Sequence, residues 1–437
     1  MRFPANAIVV LAAASLALCT GCGPSGEAPR APEAERAFAP VRTALDAGAI
    51  TARGELSVEI APNVVSMLLS FVLEQRDSAV GITTVNAPDG AVLHDTVFEA
   101  DSWDARSFSS AIAPEPLVGV GDLALLMPLS PRTPLVSGTY HVALETDPPD
   151  AVFSRVTLTV RHDDTGAVAE SRPHLVDLHV HVLDPEPARL EDSVASTLDT
   201  DWRTVLDRML VPRALASGTL TASIGAPTER ARLGRLDDER ELAEACRAIR
   251  RAAQAAARGE ESVGGRDADS EAPVESGGVP PLHVGLVAEI DAALIGTDAD
   301  VGAELDDQSD DSDLLTGLSP LPGLPYEQES PNGCVFIAEQ AWSGLERGLV
   351  VELLAANLLH ELGHFAGLSH PSEADGRTFD LLDDTPRCTR ADAETCGPAG
   401  GADNIMFHSG DESALPWHLS ADQAWVLRRH PLFRPAP

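Results

Sequence analysis

Leu358-Leu359-His360-Glu361-Leu362-Gly363-His364-Phe365-Ala366-Gly367-Leu368-Ser369-His370 is the stretch on which the reading of this chain turns. Residues four apart on an α-helix share a face, so His360 and His364 aim their rings at one point. The run before them, with Leu349, Val350, Val351, Leu353, Leu354, Leu358 and Leu359, is apolar nearly all round and predicts a buried helix. A third ligand from the same straight helix would lie too far away, so the chain must turn back. Gly367 supplies that turn, because glycine enters the left-handed conformation that ends helices at little cost. His370 then approaches from a loop. Three neutral imidazoles are a donor set for Zn2+ that leaves a fourth position open to water. Glu361 points at a neighbouring angle, where a carboxylate serves as base toward that water.

The stretch fits H-E-x-x-H-x-x-G-x-x-H, and in that extended form it resembles the zinc site of the metzincin clan of metallopeptidases. A second mark of that clan is a tight turn with a methionine beneath the metal, and Asn404-Ile405-Met406-Phe407 is similar to it, with Met406 as the Met-turn residue. Asp383-Asp384-Thr385-Pro386, two cysteines and then Asn404-Ile405-Met406 follow the order seen in pappalysin-like members. Pro371 after the third histidine resembles serralysins instead. Astacins and serralysins carry a zinc-contacting tyrosine two residues past the methionine, and His408 stands there, which implies a ligand or transition-state role for it. The resemblance implies a zinc-dependent endopeptidase with His360, His364 and His370 on the metal, Glu361 as base, and a protein or peptide as substrate.

The 437 residues are enough for two or three domains. Between Gly54 and His162, short alternating segments at 56–60, 67–73, 80–85, 123–127, 140–144 and 156–160 are separated by turn signals such as Pro88-Asp89-Gly90. They predict an antiparallel β-sandwich over 46–165. The expected class is α+β, with the sandwich followed by a metzincin-like domain over 172–437. In that second half we expect helices over 202–210 and from Asp237 to Arg258, strands at 220–224 and 284–290, and a disordered insertion at 260–280. Cys334 to Ala338 is expected to be an edge strand to which an extended peptide adds.

Asp and Glu total 68 against 31 basic residues, a net charge of -37 with every basic residue an Arg. That field excludes a nucleic-acid surface and adhesion to anionic lipid headgroups. The acidic stretch 298–313 is a candidate Ca2+ loop, although it lacks regular ligand spacing.

Arg2 and the apolar run from Ala7 to Leu18 fit an export signal over residues 1–22. Leu18-Cys19-Thr20-Gly21-Cys22 resembles a bacterial lipobox, which implies lipidation of Cys22 and a cell-envelope location at the outer membrane or cell surface. Cys19 stands where that pattern prefers Leu, so ordinary signal cleavage and an extracellular protein remain open. The Pro- and Ala-rich stretch to residue 45 reads as a flexible tether. Membrane association then runs through the lipid alone. Four cysteines remain after processing, an even number suited to an oxidising compartment. Cys388 and Cys396 are close enough in sequence to pair, which leaves Cys246 with Cys334.

Two rival readings stand beside the peptidase. The zinc domain is in one of them a degenerate protease serving as a surface binding protein. In the other, Asp177-Leu178-His179-Val180-His181 resembles the first-strand metal motif of amidohydrolases, inside a (β/α)₈ barrel. That family's lysine bridge has no counterpart in a lysine-free chain.

Overall fold

The fold is taken from a computed structural model, which describes residues 40–45, 50, 54–98, 105–163, 174–175, 178–182, 223–225, 235–236, 239–257, 282–287, 289–290, 317–327, 330–338, 347–373, 376–389, 396–397, 400–407 and 418–435. The expected export signal with Cys22, the helix at 202–210, the insertion at 260–280, the acidic stretch at 298–313, Asp177 and His408 lie outside the described residues. The described part is mostly antiparallel β-structure with few helices, α+β in class.

The N-terminal strands are β1 (Val41–Leu45), β2 (Glu55–Ile60), β3 (Val64–Leu73), β4 (Ala79–Asn86), β5 (Val92–Phe98), β6 (Ala105–Ser110), β7 (Val118–Val120), β8 (Asp122–Met127), β9 (Gly138–Asp147) and β10 (Phe153–His162). They form two antiparallel sheets, β1-β10-β3-β8 and β2-β9-β4-β5-β6, with β7 paired to β4. Alternate residues of both sheets meet in one core: Met67, Leu69 and Phe71 from β3, Leu56 and Val58 from β2, Ile82 from β4, Tyr140 and Val142 from β9. The other face of β3 is covered as well, since Leu68 packs with Ala124, Leu126 and the distant Leu324. Burial on both faces explains why Val64–Leu73 reads as a nearly continuous apolar run rather than an alternating one.

The flexible tether expected up to residue 45 ends sooner. Val41–Leu45 is strand β1, paired antiparallel with β10 from Val41↔Val160 to Leu45↔Val156. Its side chains are mostly exposed, so backbone hydrogen bonds to an available edge hold it, and no apolar pattern announces it.

The second half contains β11 (His174–Leu175), β12 (Leu178–Val182), β13 (Ser223–Gly225), β14 (Arg235–Leu236), helix α1 (Glu239–Ala257), β15 (Leu282–Val287), β16 (Glu289–Ile290), β17 (Gly317–Leu318), β18 (Cys334–Ala338), helix α2 (Arg347–Phe365), helix α3 (Ala421–Arg429) and β19 (Arg434–Pro435). Its central sheet runs β13-β12-β15-β18-β17. The first four are parallel neighbours, and β17 pairs antiparallel. Cys334, Phe336 and Ala338 face α1 with Ala245, Cys246 and Ile249. Val335 and Ile337 face α2 with Leu354, Leu358 and Leu362.

β18 is therefore no edge strand. Gly317 and Leu318 pair with Ile337 and Phe336 and take the edge, a two-residue strand too short to show any period. The strand with His179 and His181 sits between β13 and β15. Among the described residues this sheet ends at β13 and β17 and does not close into the barrel of the amidohydrolase reading.

The two halves are joined by polar contacts. Glu327, 3% exposed, takes Arg42 on one carboxylate oxygen at 2.9 Å and Arg155 on the other at 3.0 Å. Asn332 Nδ2 donates to Asp122 Oδ1 at 2.5 Å. Arg161 Nη1 donates to the carbonyls of Arg428 and His430, and Ser66 to that of Arg429.

Candidate metal centre

α2 ends where the sequence predicts. Gly367 N donates to His364 O at 2.8 Å and Leu368 N to Gly363 O at 2.9 Å, the paired bonds of a Schellman cap. Gly367 has φ +91°, a value that favours glycine. The turn is also wedged from outside. A Cβ at 367 would stand 2.7 Å from Cδ2 of both Leu126 and Leu129, residues of the N-terminal half.

Past this turn the chain brings His370 back to His360 and His364. Each ring has its Nδ1 tied down. His360 Nδ1 lies 2.6 Å from Ile405 O, His364 Nδ1 2.7 Å from Leu368 O, and His370 Nδ1 2.6 Å from Glu373 Oε2. Carbonyl and carboxylate oxygens only accept, so Nδ1 carries the proton in all three rings and Nε2 presents a lone pair. The three Nε2 atoms converge at 3.0, 3.0 and 3.3 Å from one another. No hydrogen remains to bond them to each other; three lone pairs at that separation fit a cation between them. Three nitrogens of a tetrahedral zinc site, at ~2.0–2.1 Å from the ion, stand about 3.3 Å apart. Burial and the neighbouring His370 and His360 hold His364 well below its ordinary pKa, which keeps it neutral and able to ligate. Among the described residues this is the one cluster of His, Cys, Asp or Glu side chains with metal-holding geometry.

Glu361 is 5% exposed, and burial pushes its carboxyl up to about 8. A cation at the three nitrogens acts in the opposite direction and favours the carboxylate.

Met406 is fully buried, with its sulfur against Gly363 of α2. Its turn is built by side chains: Asn404 Oδ1 accepts from Met406 N at 2.8 Å, and the Asn404 and Gln423 amides exchange bonds at 2.9 and 3.0 Å. Gln423 also accepts from Ser420 N at 2.8 Å in the capping box of α3. The turn at Asn404–Phe407, the final helix and the His360 ring thus form one bonded unit through Ile405 O.

Disulfides join Cys388 to Cys396 and Cys246 to Cys334, the second tying α1 to β18. Sequence reasoning missed Glu373, Gln423 as the partner of Asn404, and the two leucines behind Gly367. A carboxylate three residues past His370 was a usable signal, because metal-binding imidazoles commonly donate their other N–H to one. Nothing local to Leu126 or Leu129 points at the site.

No family model matches the sequence, and no curated protein matches it. Among solved structures the chain is similar to archaemetzincin from Methanopyrus kandleri at 12% identity, over 60% of this chain and 96% of that one, with a TM-score of 0.29.

Proposed function

We propose that the chain is a zinc-dependent endopeptidase, exported and anchored through lipidated Cys22. The observation that carries this reading is the convergence of three Nε2 lone pairs, each fixed by a bonded Nδ1–H, beside a buried glutamate on the same helix. His360, His364 and His370 hold the metal. When bound, zinc supplies a Lewis acid for the scissile carbonyl and a water acidified toward neutrality.

The chain's own groups do the rest. Glu361 takes the proton from the attacking water and delivers it to the leaving amine. Its low exposure keeps bulk water from competing for that proton. Ile405 O, Leu368 O and Glu373 fix the tautomers, so the rings stay oriented through turnover. Met406 and the Asn404–Gln423 pair hold the floor under His360. An extended substrate adds to the outer side of β17, the edge that replaces the one expected at β18. The two disulfides accord with an oxidising location.

A peptide-library digest with purified protein, with and without chelator, tests the reading. Cleavage that disappears with chelator and returns with zinc supports it. Absence of cleavage by zinc-loaded protein rejects it. Glu361→Gln is expected to retain zinc and lose about 10²–10⁴ in rate.

A further inference from the structure

Gly317 begins β17, and nothing in its own backbone calls for glycine, since its φ lies outside the left-handed range that side chains avoid. The reason lies in its surroundings. A Cβ at 317 would stand 2.6 Å from Oε1 of Glu361 and 2.8 Å from its Cδ and Cγ, closer than side-chain carbons approach. The strand cannot back away. Gly317 is paired to Ile337 and Leu318 to Phe336, and Leu318 packs against the α1 side of the sheet, on the face opposite Glu361. Further along, Gly323 N donates to Phe365 O at 2.9 Å, which fastens the segment to the end of α2.

We propose that Gly317 is a positioning residue: its missing side chain is what leaves the carboxyl of Glu361 its place beside the three-histidine centre. Any larger residue displaces the glutamate rather than the strand. The side chain is the softer partner, because it turns about its χ angles whereas the backbone of β17 is held by ladder and helix. The effect on rate rests on the peptidase reading; the contact itself does not.

Two measurements on the full-length protein separate these. In the first, Gly317→Ala is assayed on a cleaved library peptide, with metal content measured alongside. Zinc stays at the wild-type level, KM is nearly unchanged, and kcat falls by about 100-fold, the scale of an ångström's misplacement of a catalytic group. Wild-type kcat in a folded Gly317→Ala protein overturns the proposal, and so does loss of zinc, which would mean that the position serves the metal rather than the base. The second is a double-mutant cycle read by Tm. Gly317→Ala lowers Tm in the wild-type background and leaves it unchanged in Glu361→Ala, where the opposing atoms are gone. An equal drop in both backgrounds overturns the proposal. Should Gly317→Ala alone fail to fold, recovery of folding in the Glu361→Ala background supports the proposal and continued failure overturns it. If wild-type protein cleaves nothing, the peptidase reading falls, and the Tm cycle still decides whether Gly317 sets the place of Glu361.

Discussion

Two histidines of the candidate centre ride on a helix and the third on a turn, and the two arrangements are secured differently. His360 and His364 are one turn apart on α2, and their Nδ1 atoms are bonded to the backbone carbonyls of Ile405 and Leu368. His370 depends on a side chain, Glu373, and on a glycine turn pressed by Leu126 and Leu129 from the N-terminal half. The helix pair is thus fixed by secondary structure close in sequence or by the turn at Asn404–Phe407. The loop ligand draws its position from a carboxylate and from a part of the chain far earlier in sequence. By this contact Leu126 and Leu129 make the N-terminal half a wall of the candidate metal centre.

The sharpest way to break this contrast is to remove a helix ligand. His364→Ala leaves two nitrogens, and zinc is expected to be lost on dialysis; metal content per chain measures this. Gly367→Ala comes next. It forces a left-handed alanine at about 1–2 kcal/mol and drives a methyl into Leu126 and Leu129 at about 1–3 kcal/mol more. Urea unfolding should show a lowered midpoint, and the loss should be smaller when Gly367→Ala is made in a Leu129→Ala background, which leaves room for the methyl.

The hold between the halves also has a pH signature. Asp122 accepts from Asn332 of the C-terminal half, and burial raises its carboxyl from 3.8 to about 6. A carboxyl raised on folding binds its proton more tightly in the folded state, so it favours folding most below 3.8. That contribution is lost as pH rises through about 6, by up to about 3 kcal/mol. Denaturant unfolding between about pH 4 and pH 7 checks this, with the decline flattened in Asp122→Asn. The smallest expected effect is Glu373→Gln, which keeps an acceptor for His370 Nδ1 but removes its charge. Zinc affinity falls by about 10–100-fold in a competition titration, with the fold unchanged. The Nδ1 atoms of His360 and His364 bond backbone carbonyls, so no single substitution removes their acceptors in the same way.

The site was legible where its chemistry is local. H-E-x-x-H, the glycine turn and His370 lie close together in sequence, and helix periodicity alone places the first two rings. The two cysteine pairs follow from small numbers, one by nearness and one by remainder. β3 was readable from its apolar run, and β4 and β9 from apolar residues set between polar ones. β5 and β6 were missed because Val92, Val97 and Phe108 lie exposed, which blurs the alternation. β17 could not be found at two residues long, and it took with it the edge of the sheet among the described residues and the contact between Gly317 and Glu361. Asn404 pairs with Gln423, and Gly367 with Leu126, through tertiary contact that no spacing records.

Zinc K-edge X-ray absorption on zinc-loaded, disulfide-intact protein tests the three-histidine centre most directly. The geometry predicts one zinc per chain with three imidazole nitrogens and one oxygen at ~2.0–2.1 Å, a spectrum that collapses in His364→Ala. A sulfur ligand, fewer than three imidazoles, or zinc retained unchanged in His364→Ala would contradict it.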